Sequence, residues 1–81
     1  VAKVLLFGPL RDLAGWRERD LADAPATLSG LRAFLAAEDP ALGEALAAPG
    51  VQAAIDQAIV RGDAPIRSGA EVAFLSPMSG G

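Results

Sequence analysis

Only one stretch of this chain has a helical period long enough to shield a sheet, and that limits the fold more than any other feature. Leu28, Leu31, Phe34 and Leu35 recur at helical spacing and form one apolar stripe down to about Glu38. Thr27 is a good N-cap, and Pro25 keeps the helix from starting earlier. Gly30 inside the helix costs about 1 kcal/mol relative to Ala. A helix of about three turns covers one face of a sheet and not two, so the expected class is α+β, a mixed sheet wrapped on one main helix.

The remaining segments are short. Ala2-Lys3-Val4-Leu5-Leu6-Phe7 reads as a strand buried on both faces, stopped by Gly8-Pro9. Pro9 suits the first turn of a short helix over residues 9–14, closed by Gly15. Residues 16–21 carry Arg17, Glu18, Arg19 and Asp20, charges that belong on an edge strand, antiparallel to the first. Asp39-Pro40 opens a second short helix with Leu42 and Leu46, ended by Pro49-Gly50. Residues 51–55 and 58–60 are short β runs around a tight turn at Asp56-Gln57. Residues 61–70 form a turn-rich loop, and Glu71-Val72-Ala73-Phe74-Leu75 is the last strand. The first and last strands are apolar throughout and are expected to be central neighbours. This order fits the ubiquitin-like β-grasp, with short extra helices.

Composition narrows the chemistry. Eighty-one residues make one modest core. The net charge of -3, with no Lys/Arg cluster, gives no basic stripe for nucleic acid. No apolar stretch approaches the roughly 18–20 residues of a membrane span, no leader-like segment precedes the first strand, and a cytoplasmic location is expected. With no Cys, His or Tyr, disulfides, Cys/His zinc sites and Ser-His-Asp or Cys-His catalysis are excluded. Neither a bound metal nor a cofactor of its own is expected. A domain this small has little room for a substrate pocket of a few hundred Å3, so catalysis by the chain alone is not expected. Arg61-Gly62-Asp63 reads as a chance occurrence of the cell-adhesion tripeptide, and there is no phosphate loop.

Strand alternation leaves an apolar face to explain. If the helix covers Val4, Leu6, Val72 and Phe74, then Leu5, Phe7, Ile59, Ala73 and Leu75 look outward. Unless loops or the helix within residues 40–48 fold over them, they form a docking surface. Beside it the sequence runs on as Ser76-Pro77-Met78-Ser79-Gly80-Gly81. Domain 1–75 is thus expected to carry a flexible tail, 76–81. Extended, six residues reach roughly 20 Å at about 3.3 Å each, and a terminal glycine offers its carboxylate without side-chain hindrance.

Lys3-Val4-Leu5-Leu6-Phe7, Arg11-Asp12-Leu13-Ala14-Gly15, Ala54-Ile55-Asp56-Gln57 and the whole of residues 69–81 resemble the small subunits of molybdopterin synthase. The ending is the specific part; residues 21–49 match mainly in pattern. The resemblance implies a sulfur carrier. Gly81 would be adenylated with ATP by a separate activating enzyme and converted to a thiocarboxylate. The tail would then enter a large catalytic subunit, where the sulfur passes to a cyclic pyranopterin precursor. Two carriers flank a dimer of large subunits in such complexes. Gly80, Ser79, Met78 and Pro77 would give the tail access, and Phe7, Ile59 and Leu75 match positions of apolar contact with the large subunit. Arg11 matches a position near that interface, although a solvated helix charge fits it equally. Asp56 departs from the Asn common among relatives, in a turn whose next residue is often Gly. Three alternatives stay open: a carrier for thiamin or tRNA thiolation, a ubiquitin-like modifier joined through Gly81 to lysines, and a plain interaction module indifferent to Gly81.

Overall fold

A computed structural model describes residues 1–76. The elements run β1 (Ala2–Leu6), α1 (Pro9–Ala14), β2 (Glu18–Leu21), α2 (Leu28–Glu38), α3 (Pro40–Leu46), β3 (Gln52–Ile55), β4 (Ala58–Val60) and β5 (Glu71–Leu75). The five strands form one sheet in the order β2-β1-β5-β3-β4. β5 runs parallel to β1, with Val4 beside Val72 and Leu6 beside Phe74, and antiparallel to β3. The expected β-grasp is therefore present, with β1 and β5 adjacent and β2 on the edge.

Each helix begins where its sequence signals place it. The Thr27 side chain accepts a hydrogen bond from the Gly30 N–H at 3.1 Å, and α2 starts there. Asp39 both closes α2 and opens α3, its Oδ1 accepting from the Leu42 N–H at 3.3 Å. Gly15 closes α1 at φ 83°, a left-handed position where a side chain would be strained. α3 stops at Leu46, before Pro49-Gly50.

The core lies between the sheet and the helices. Val4, Leu6, Val72 and Phe74 meet Leu28, Leu31 and Leu35 of α2, with Leu10, Leu42 and Leu46 closing the sides. Phe34 departs from expectation, because it is 36% exposed. With 3.6 residues per turn, it lies about 100° round the helix from Leu35, at the flank of the stripe. Gly30 is also less costly than its propensity suggests. A Cβ there would sit 3.1 Å from both Pro25 Cβ and the Thr27 hydroxyl that caps the helix, so alanine would crowd the cap.

Gly43 is where α3 crosses α2. A Cβ at this position would fall 2.7 Å from Ala36 Cα and would collide with Ala36 Cβ. These are backbone-borne atoms with no rotamer to yield, so Gly43→Ala should force the helices apart. The expected loss is about 1–3 kcal/mol, the range for overpacking, read as a lower denaturant midpoint.

Residues 61–70 are tied to the start of α2 and not loose. Leu28 N–H donates to Ala64 O at 2.8 Å, and Ile66 N–H to Ala26 O at 2.7 Å. Asp63 accepts from the Ser29 N–H at 2.8 Å and the Ser29 hydroxyl at 2.9 Å. These bonds hold its carboxyl below the ordinary 3.8, and the negative charge sits at the helix N-terminus, where it is favoured. The acid of the Arg61-Gly62-Asp63 tripeptide is thus occupied structurally. A depressed carboxyl stabilises the fold above its unfolded pKa, and that contribution is lost as pH falls through the folded one. Asp63→Asn should therefore lower the melting temperature at neutral pH. The gap to the unmodified protein should close in acid, checked by melts across the carboxylate range.

Candidate functional site

On the side of the sheet away from the helices, strand register sorts side chains into three rows. The middle row runs Glu18, Leu5, Ala73, Ala54, Ile59 across all five strands. One step toward the end of β5 lie Phe7, Leu75 and Gln52; Phe7 is placed there by its N–H, which donates to Phe74 O at 3.3 Å. One step the other way lie Asp20, Lys3 and Glu71. At about 4.8 Å between strands, the middle row is about 19 Å long.

The upper two rows are the apolar face expected from alternation. Phe7 is 47% and Ile59 51% exposed, while Leu5, Ala73 and Leu75 are half-buried. α3 does not fold over them: Leu42 and Leu46 point into the core, and α3 packs on α2 and α1. Ala54, which alternation did not single out, joins the face as a buried methyl between Ala73 and Ile59. Only the pairing of β3 with both neighbours reveals it, since its segment reads Ala53-Ala54 with no period of its own.

The turn beside this face keeps its shape despite the unusual pair at its tip. Asp56 and Gln57 adopt φ 50° and 72°, the primed hairpin geometry usually given to Asn-Gly. Asp56 is fixed on two sides: its N–H donates to Glu71 O at 2.8 Å, and its Oδ1 accepts from the Glu71 N–H at 3.0 Å. The carboxylate thus supplies the local anchoring that an Asn would.

Charge frames the apolar rows. Lys3 pairs with Glu18 at 3.1 Å, and the hydrogen bond and charge of Glu18, with Asp20 and Glu71 nearby, raise its pKa. Arg11 is half exposed, with its Nε 3.8 Å from Asp12. Arg19 turns instead to the helix side, where its guanidinium lies 5.2 Å from the Trp16 ring centre and 2.7 Å from Glu38.

Leu75 leads into Ser76, the last described residue. Gly81, expected to carry the chemistry, and Gly80, Ser79, Met78 and Pro77, expected to give it access, lie outside the described residues. The structure brings Phe7 and Leu75 side by side, sets Ile59 two strands from Leu75, and leaves Arg11 on α1 at the border. The domain, expected to have little room for a substrate pocket, does carry open surface recesses. One, about 450 Å3, is lined by Pro9, Leu13, Ala48, Val51 and Ser76 among others. None of its lining residues ionises. Among the described residues no group of three or more acids could hold a metal ion, and no helix is long and apolar enough to cross a membrane.

A mixed β-grasp sheet with an exposed apolar face is the setting of a known class: the chain belongs to the ThiS family, whose profile matches residues 4–81. Within that class it is 37% identical over 79 residues to the molybdopterin synthase sulfur carrier subunit of Escherichia coli (strain K12), covering 98% of both chains. Two solved structures illustrate the shared fold. One is the crystal structure of SAMP1 from Haloferax volcanii, with a TM-score of 0.80, 24% identity, and 99% and 98% of the two chains covered. The other is the solution structure of the small archaeal modifier protein 1 from Methanosarcina acetivorans, with a TM-score of 0.84, 23% identity, and 99% and 95% covered.

Proposed function

We propose that this protein is the sulfur carrier of a molybdopterin synthase, delivering sulfur as a thiocarboxylate on Gly81. The observation that carries the reading is the end-to-end match to the E. coli subunit. The apolar face at the root of the tail supports it physically, because a partner held on that face receives the tail at the same time.

A carboxylate is a poor acyl donor until one oxygen can leave. Attack of a Gly81 carboxylate oxygen on the α-phosphate of ATP, in an activating partner, releases pyrophosphate and gives an acyl-adenylate. A sulfur nucleophile then takes the acyl carbon and AMP departs. Glycine hinders that carbon least, and Gly80 lets the backbone through a narrow channel. The thiocarboxylate sulfur is ionised near neutral pH and nucleophilic, as a thiolate is, so no cysteine is needed for the role. The large subunit would supply the pocket in which sulfur passes to a cyclic pyranopterin. Phe7, Ile59 and Leu75 would hold that subunit, Arg11 would lie at the rim, and Pro77, Met78 and Ser79 would span the distance. Two carriers would flank a large-subunit dimer.

Intact mass tests the reading. After incubation with ATP, the activating enzyme and a sulfur source, the protein should gain about 16 Da, oxygen exchanged for sulfur. An unchanged mass overturns the carrier role, as does recovery of Gly81 only in amide bonds to lysine.

A further inference from the structure

The charges on the docking face are sorted by end. Asp20 and Glu71 lie in the row farthest from the tail, beside the Asp56 turn, and Lys3 among them is already matched by Glu18. Toward the tail the sign reverses. Arg11 and Arg17 border a recess of about 240 Å3 whose other walls are Leu5, Leu6, Phe7 and Glu18. In a chain of net charge -3, this local excess of cations runs against the whole.

Among the described residues nothing uses these two guanidinium groups fully. Among the described residues Arg17 makes no ion pair within 4.0 Å. The Arg11 contact to Asp12 spans 3.8 Å between side chains 50% and 79% exposed, a geometry worth little in water. Arg19, one position beyond Glu18, shows the contrast, since Glu38 holds it at 2.7 Å. A guanidinium presents a planar fork matched to a carboxylate. Leu5 and Phe7 beside it offer a wall for a short aliphatic stem. That combination suits an Asp or Glu side chain.

We propose that the recess between Phe7, Arg11 and Arg17 receives a carboxylate side chain of the protein that docks on the sheet face, and so fixes which way round the domain sits. The proposal rests on the docking reading given above. An apolar band alone can be covered in either direction. Cations at one end and acids at the other remove that freedom, because the reversed pose sets like charges together. The partner's acidic side then lies at the entry of the tail.

The test uses the full chain and its cognate molybdopterin synthase large subunit. Arg17→Lys keeps the charge and introduces an amine, so carbodiimide treatment of the complex should join position 17 to an Asp or Glu of the large subunit, read by peptide mass. Arg17→Glu should slow association about tenfold at low ionic strength. Near 1 M salt, where charges beyond about 3 Å are screened, the defect should shrink to about twofold or less. A complex that forms but gives no cross-link at position 17 overturns the proposal. So does an Arg17→Glu rate equal to that of the unmodified chain at low salt, or a defect that persists at high salt. Phe7→Arg, run alongside, reports on the apolar band. If it abolishes binding while the position-17 experiments fail, docking stands and the recess does not; if it leaves binding unchanged, docking on this face is wrong.

Discussion

Removal of Gly81 should cost at least about a hundredfold in sulfur transfer and leave the domain folded. The shortened chain still ends in a glycine carboxylate, that of Gly80, so its acyl chemistry is nearly the same. What changes is reach, by about 3.5 Å for one residue. Near a reacting centre, a misplacement of about 1 Å can cost 10²-fold. Circular dichroism and melting should be unaltered, since the core is complete at Phe74 and the last strand at Leu75. Product formation with large subunit and precursor gives the rate. Transfer at the full rate by the truncated chain would show that the tail does not deliver the reacting group, and the plain interaction module would then be the better account.

Phe7→Arg is expected to weaken binding to the large subunit by at least about 2 kcal/mol, roughly thirtyfold in Kd. Phe7 is 47% exposed and adjoins both Leu75 and the Arg11–Arg17 recess. Covering its free half adds about 1 kcal/mol of apolar burial, half the value for a whole Phe side chain. The substitution removes that gain, buries a cation within the apolar band and adds a third positive charge beside the recess. Folding should hold, because the core is formed by Leu6 and Phe74 and not by Phe7. Titration calorimetry gives the affinity, and an unchanged value would exclude the face as the docking surface.

The parts of the fold that could be read from the chain are those set by local signals. Thr27 and Asp39 announce helix starts because a short polar side chain can satisfy an orphan N–H only there. Gly15 announces an end, and the apolar runs of β1 and β5 announce central strands, but the burial of β1 on both faces that its run suggested is not met, since Leu5 and Phe7 lie on a face no helix covers. Alternation separated Leu5, Phe7 and Leu75 from Val4, Leu6 and Phe74 without any knowledge of pairing. What escaped depends on distant partners. Asp63 meets Ser29 across 34 positions, Arg19 meets Glu38 across 19, and the need for Gly43 arises only when α3 crosses Ala36. Phe34 was misplaced because a four-residue stripe spans more arc than the sheet can cover. The exposed apolar face was legible from period two, whereas the Arg11–Arg17 recess was not, since it joins α1 to the start of β2 through their placement around Phe7. The roles proposed for residues 77–81 rest on the resemblance to carriers alone.

β5 occupies the middle of the sheet, with β1 on one side and β3 on the other. A load applied at Ser76 along β5 is therefore met by a strand laced on both flanks. Such a load spreads over two ladders together, whereas an outer strand would unzip bond by bond.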